Sequence, residues 1–206
     1  MPELDAIHSI YNTYSRFYDW VFGPFFEQGQ RIAVKMMDVQ PQERVLEVGV
    51  GTGALLPFYP DDIDLVGIDV CQAMLDRAEV LCERISMPNV ILMHMDATKM
   101  EFADDTFDKV IAAYVISVVP DPHAVGEEIK RVCKKGGEIY FINHFKSLNP
   151  LIGAIEDIIE PIGQCLGFST TLDLHDLLRQ IKLEPVLERP VNLFNLWRIV
   201  KCINNK

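Results

Sequence analysis

The chain has 206 residues, 49% of them hydrophobic and 24% charged, with a formal net charge of −11. That length suits one globular domain with enough interior to hold a core unaided, and the acidic balance argues against a nucleic-acid partner, because a phosphate polyanion needs a basic surface. The five cysteines (Cys71, Cys82, Cys133, Cys165, Cys202) are scattered, with no C-x-x-C pair and no neighbouring His, so they indicate neither a metal site nor a disulfide framework and fit a reducing cytoplasm.

Residues 1–40 read as an N-terminal helical cap ahead of a domain over 41–206. The first residues lack the basic flank and apolar core of a signal peptide, and no uncharged run is long enough to cross a bilayer, so the expectation is a soluble or peripheral chain. Eight of the nineteen aromatics lie between Tyr11 and Phe26. Ile7, Ile10, Tyr11, Tyr14, Tyr18 and Val21 recur at helical spacing, with Asp5 as N-cap and Gly23-Pro24 ending the helix before a second begins. This face suits packing on a sheet, tyrosine hydroxyls reaching a ligand, or Trp20, Phe22, Phe25 and Phe26 lying at a lipid interface.

The next run, Arg44-Val45-Leu46, is a strand that ends in the loop Glu47-Val48-Gly49-Val50-Gly51-Thr52-Gly53. Glycines at this spacing let the chain turn tightly and bring backbone N–H groups close to a nucleotide-like ligand. Gly49, Gly51 and Ala54 also satisfy the G-x-G-x-x-[GA] fingerprint of dinucleotide sites, so the loop alone is ambiguous. Glu47 weighs against a dinucleotide, because its charge would oppose a pyrophosphate. It favours a phosphate-free cation, and S-adenosylmethionine carries an ammonium and a sulfonium.

Further strands are expected near 64–69, 90–95, 107–114 and 137–142, short Val- and Ile-rich runs of the kind buried on both faces of a parallel sheet. The second ends in Asp69, placed to accept ribose hydroxyls, and the third in Asp96-Ala97. Helices are expected at 71–85, with Met74, Leu75, Ala78, Leu81, Cys82 and Ile85 on one face, and at 121–133, leading into a glycine turn at Lys134-Lys135-Gly136-Gly137. His94 reads as core, and His8, His123 and His175 show no constellation. Asp121, between two prolines, suits helix initiation, and Asn143 suits a turn.

Residues 150–167 carry an Ile stripe on a helix covering the substrate side. The tail, near 183–189 and 194–202, reads as an antiparallel hairpin split by Pro190 and Asn192. Charge is unevenly spread: 43–128 hold seventeen acids and five bases, whereas 179–206 hold six bases and two acids. That basic end is either ordinary solvated charge or a face for anionic lipid. The fold class is α/β, a mostly parallel seven-stranded sheet with N-terminal helices and a C-terminal antiparallel hairpin.

The strand order with these terminal acids resembles the Rossmann-like class I methyltransferases, in which the third-strand acid binds the adenine amine. The pieces Tyr14-Ser15-Arg16-Phe17-Tyr18-Asp19, Gly23-Pro24, Arg44 to Gly53, Ser117-Val118-Val119-Pro120-Asp121-Pro122, Arg131 to Glu138 and Asn143-His144-Phe145 are similar to the soluble bacterial phosphatidylethanolamine N-methyltransferases. Two positions depart from that pattern: Cys71, where a helix-capping Ser is usual, and Lys135, where a Pro is usual.

The resemblance implies three successive methyl transfers from S-adenosylmethionine to a head-group amine, giving phosphatidylcholine and S-adenosylhomocysteine, by a protein peripherally attached to the inner face of the membrane. It implies a cofactor set of Tyr18, Glu47, Gly49, Gly51, Gly53, Asp69, Met74, Asp96 and Ala97. The amine must lose a proton before it attacks, and His144, beyond the fifth strand, is the foremost base, with Tyr14, Tyr18 and Tyr114 as runners-up. Tyr14, Arg16, Asn143, His144 and Lys146 are the substrate-side candidates, the cations for the lipid phosphate and tyrosine faces for the methylated ammonium. No metal is implied. Two other functions stay open: methylation of a soluble or quinone-like acceptor, as in ubiquinone and menaquinone synthesis, and a non-catalytic sensor of the methyl donor or lipid.

Overall fold

The computed structural model describes residues 27–144, 174–191 and 197–206. The aromatic helix expected before residue 26 and the Ile-striped helix expected at 150–167 lie outside them. Helix α1 covers 27–37. Then come β1 (Arg44–Val48), a 3-10 turn (Leu56–Phe58), β2 (Asp64–Asp69), α2 (Gln72–Ile85), β3 (Val90–His94), β4 (Phe107–Ala113), α3 (Pro122–Val132), β5 (Cys133–His144), α4 (Leu174–Gln180), β6 (Pro185–Val191) and β7 (Trp197–Ile203).

The seven strands form one sheet in the order β3-β2-β1-β4-β5-β7-β6. β1 to β5 run parallel, β7 is antiparallel to β5, and β6 is antiparallel to β7. Strand order therefore reverses between β1 and β4, and in such sheets the crevice beyond the carboxyl ends at that reversal is where ligands bind.

Alternation along each strand feeds two cores. Leu46 and Val48 face one side with Val66, Ile68, Val110 and Phe141, covered by Val125 and Ile129 of α3 and Leu174, Leu177 and Leu178 of α4. Val45 faces the other with Leu65, Ile111, Tyr140 and Ile142, covered by Ala33, Val34 and Met37 of α1 and Ala78 of α2. Each large side chain buried this way contributes about 1.5–3 kcal/mol, which is why the strands read as near-continuous apolar runs.

One buried charge interrupts the second core. Lys109 donates to the Met37 carbonyl at 2.6 Å and to Glu138 Oε2 at 3.0 Å, and lies 3.3 Å from Glu43. Tyr140 donates its hydroxyl to Glu138 Oε2 at 2.7 Å, and Lys201 donates to the same carboxylate. Burial would raise the Glu138 pKa, yet the donors from Lys201, Tyr140 and Lys109 outweigh it and hold the carboxyl below its usual range. The network ties the last turn of α1 to the start of β4, fixing the helix against the sheet.

The structure corrects four expectations. β3 is an edge strand with Ile91 and Met93 exposed, because no helix covers its face in the short link to β4. His94 is accordingly exposed rather than core, its Nε2 lying 2.9 Å from the Val70 carbonyl oxygen. At the other edge β6 runs through Pro190 to Val191, with Pro190 paired to Arg198. An edge strand has no ladder bond to lose on its open side, so proline is tolerated.

The expected turn at 134–137 is a bulge inside β5, where the register with β4 shifts between Phe107 and Lys109. Gly136 takes φ +78° there, and a Cβ on Gly137 would meet the Asp108 carbonyl oxygen at 2.8 Å.

Candidate functional site

The carboxyl end of β1 runs into a loop whose glycines have φ of +70° (Gly49), +55° (Gly51) and +86° (Gly53). These values lie in the left-handed region that side chains rarely adopt. The loop is pinned from behind: the Gly49 and Val50 amides donate to the Ile68 carbonyl at 2.8 and 3.0 Å. A Cβ on Gly49 would clash with Val115 Cγ2 at 2.6 Å, whereas one on Gly51 would meet nothing nearer than Met74 Sδ at 3.8 Å. The middle glycine thus opens onto free space beside Met74, and the first is packed against the loop after β4.

Asp69, at the end of β2, closes this loop onto the next. Its Oδ2 accepts from the Gly51 amide at 2.9 Å and its Oδ1 from the Cys71 amide at 2.8 Å. Burial raises its pKa, opposed by those amides and by His94. Glu47, at the end of β1, is 1% exposed and faces the α1 and α2 side of the sheet. Its Oε2 accepts from the Tyr59 hydroxyl at 3.1 Å. Burial pushes the Glu47 carboxyl up to about 8, the Tyr59 hydrogen bond opposes that rise, and the neighbouring Asp69 adds to it.

Around the crevice, Asp96 follows β3 and accepts from both the Thr98 amide and hydroxyl at 2.8 Å, while Ala97 packs on the first core. Beyond β4, Tyr114 adopts φ +61°, and its amide donates to the Ile142 carbonyl at 2.6 Å. A tyrosine in the left-handed region is sterically costly, and backbone strain of this kind clusters at ligand sites. Asn143, on β5, is 3% exposed and accepts from Ser117 Oγ at 3.1 Å. That bond ties the Ser117-Val118-Val119-Pro120 stretch to the end of β5.

His144 ends β5, its backbone paired with Trp197 of β7. Tyr14, Arg16, Tyr18 and Lys146 lie outside the described residues. Asp121 caps α3, accepting from the Ala124 amide at 2.9 Å. Glu47, the three glycines, Asp69, Met74, Asp96, Ala97, Tyr114 and Asn143 therefore all follow, or end, strands at one edge of the sheet. Sequence reading missed Tyr59, and it named Ser117 only as part of a motif, without a role. The signal for Tyr59 was its place between Pro57 and Pro60, which stiffen the turn that brings it back to Glu47.

This arrangement fits S-adenosylmethionine. The open side of Gly51 is a cradle that a Cβ would fill, and the buried Glu47 and the half-buried Asp69 share a site where a ligand cation would offset the repulsion that Asp69 sets against a charge on Glu47. A pyrophosphate would aggravate it. Among the described residues no cluster of His, Cys, Asp and Glu could hold a metal ion.

Residues 46–141 match the family model described as a methyltransferase domain. The phosphatidylethanolamine N-methyltransferase of Cereibacter sphaeroides is 35% identical over 200 residues, covering 97% of this chain and 98% of the relative. A demethylmenaquinone methyltransferase of Bacillus cereus (strain B4264) is 28% identical over 172 residues, 72% of this chain and 73% of its own length. Among solved structures, an S-adenosylmethionine-dependent methyltransferase from Thermotoga maritima superposes with a TM-score of 0.69 at 21% identity, covering 96% of this chain and 99% of its own. The protein is a methyltransferase that uses S-adenosylmethionine and releases S-adenosylhomocysteine, and with a match running the length of both chains it belongs to the family of the bacterial phosphatidylethanolamine N-methyltransferase.

Proposed function

We propose that the protein methylates the amine of phosphatidylethanolamine and then its mono- and dimethyl derivatives, giving phosphatidylcholine. The observation that carries this reading is the near-complete, 35% identical match to a relative of that name. It runs nearly the whole length of both chains, whereas the menaquinone relative covers only 72% of this one.

When bound, S-adenosylmethionine supplies a methyl group activated by its sulfonium. Glu47, Gly49, Gly51, Gly53, Asp69, Met74, Asp96 and Ala97, with Tyr18, hold the cofactor. The substrate amine has an alkylammonium pKa near ~10, so at neutral pH it must surrender a proton before it attacks. His144 takes that proton, with Tyr14, Tyr18 and Tyr114 as the alternative acceptors. Their rings also offer π-faces to the ammonium that persists between methylations. Arg16, Lys146 and Asn143 hold the phosphate and head group. The 1–40 segment forms a cap whose Trp20, Phe22, Phe25 and Phe26 rest at the lipid interface of the inner membrane face. No helix of the described residues is long and apolar enough to cross a membrane.

The test mixes the protein with labelled methyl donor and phosphatidylethanolamine vesicles. Label in mono-, di- and trimethylated lipid is the expected result, and its absence from all three rejects the reading. Trp20→Ala and Phe25→Ala are expected to lower turnover on vesicles severalfold while leaving S-adenosylhomocysteine affinity unchanged. Turnover of a quinone-like acceptor without phospholipid, indifferent to those two substitutions, would favour the menaquinone-type reaction instead.

A further inference from the structure

Tyr59 sits in none of the motifs that define the cofactor loop, yet it is 5% exposed and donates its hydroxyl to a carboxylate that is itself 1% exposed. Its place is set locally. The 3-10 turn Leu56–Phe58 carries Pro57 in its first turn, and the Tyr59 amide closes it by donating to the Leu56 carbonyl at 3.3 Å. Gly53 packs against the same Leu56, so one short segment couples the glycine loop to the tyrosine.

We propose that Tyr59 is a positioning residue for cofactor binding: its hydroxyl aims the Glu47 carboxyl at the base of the glycine loop and sets the pH at which that carboxyl releases its proton to receive the ammonium of the ligand.

The surroundings of Glu47 carry the argument. β2 presents Asp69, a second carboxylate that disfavours a second negative charge. α2 presents the Cys82 thiol, whose own ionisation Glu47 opposes. α1 packs Ala33, Val34 and Met37 on this face, and its charged Arg31 instead stacks 5.4 Å over the Phe58 ring. β4 contributes the apolar Ile111. Among the described residues no cation therefore faces Glu47, and the neutral Tyr59 hydroxyl is the donor that favours its ionised form. Without ligand the carboxyl keeps its proton near neutrality, in line with burial pushing it up to about 8. As the ligand ammonium arrives, the carboxyl ionises and its proton passes to the buffer. Atoms balance with one proton released per ligand bound.

The inference rests on the cofactor assignment and is independent of the acceptor, so it is measured without lipid. Calorimetry of S-adenosylhomocysteine binding in buffers of different ionisation enthalpy, across pH 6 to 9, counts the protons released. Wild type is expected to release close to one proton near pH 7. Tyr59→Phe removes the donor that favours the charged form, so the release profile moves to higher pH and affinity at pH 7 falls roughly tenfold, the loss of one hydrogen bond to a charged group. Glu47→Gln is expected to bind more weakly and release no proton at any pH. A purely structural Tyr59 would lower thermal stability in Tyr59→Phe and leave the proton profile where it was. That result, or wild-type binding without proton release, overturns the proposal while leaving the lipid reading intact. Failure of the vesicle assay with the proton profile as expected does the reverse.

Discussion

Glu47 carries a cost that the folded protein bears in the absence of ligand. A carboxyl whose folded pKa is raised binds more protons folded than unfolded, so its ionisation penalty is absent at low pH. The penalty grows as pH climbs from the ordinary value of 4.5 through about 8, and is constant above that. Glu47→Gln keeps the shape and the acceptor for Tyr59 without a charge to bury. The free protein bearing it is expected to be more stable than wild type at pH 8.5, by several kcal/mol, and equal to it near pH 4. Urea denaturation at the two pH values reads the difference, and equal stabilities at pH 8.5 would contradict it. The identity of this residue, and of Gly49, Gly51 and Asp69, is legible in the sequence because strand, turn and acid follow each other within a few positions. Tyr59 is not, because its partner lies 12 residues away across a turn whose path only the three-dimensional arrangement reveals.

At the scale of elements, the helix α2 shows how local chemistry and packing divide the work. Its buried stripe of Leu75 and Ala78 was readable from periodicity, and its C-cap Ser86 takes the left-handed conformation with its amide on the Cys82 and Glu83 carbonyls. Its N-cap, Cys71, has the extended backbone of a cap but makes no side-chain capping bond. A hydroxyl there can accept from the first-turn amides, so Cys71→Ser is expected to stabilise the protein by about 0.5–1 kcal/mol, raising Tm by about 2 °C in a thermal scan. A fall in Tm would show instead that the 7% exposed sulfur matters more as packing than as a cap. Boundaries were less legible than existence. β5 begins at Cys133 because the chain bulges through Gly136 and Gly137 without leaving the sheet, a continuity that paired glycines conceal. The β3 to β4 link is held without a helix: Arg131 of α3 donates to the Phe102 and Met100 carbonyls at 2.7 and 2.9 Å and pairs with Glu128 and Asp104. Nothing in the hydrophobic pattern signals a clamp made by one guanidinium.

Over the whole molecule, sheet order and strand direction follow from alternating strand and helix patterns closed by a hairpin, and they place the ligand crevice at one edge by geometry alone. What the pattern cannot convey is which strands end up outermost. A central and a peripheral strand of equal hydropathy differ only in their neighbours, which explains why β3 and His94 read as interior.

The two margins of the sheet are unequal in a way that bears on handling the protein. β6 carries Pro185, Glu188, Arg189 and Pro190 along its open side, residues that discourage another strand from joining. β6 leaves Val186 and Leu187 exposed as well, but β3 has no proline to break its open edge beside the exposed Ile91 (50%) and Met93 (37%). Self-association at high concentration or during refolding should start from β3, and a single lysine there should suppress it. Ile91→Lys is expected to raise the yield of monomer recovered after dilution from denaturant, read by light scattering, with S-adenosylhomocysteine affinity unaltered. A matching change at Leu187 should do little.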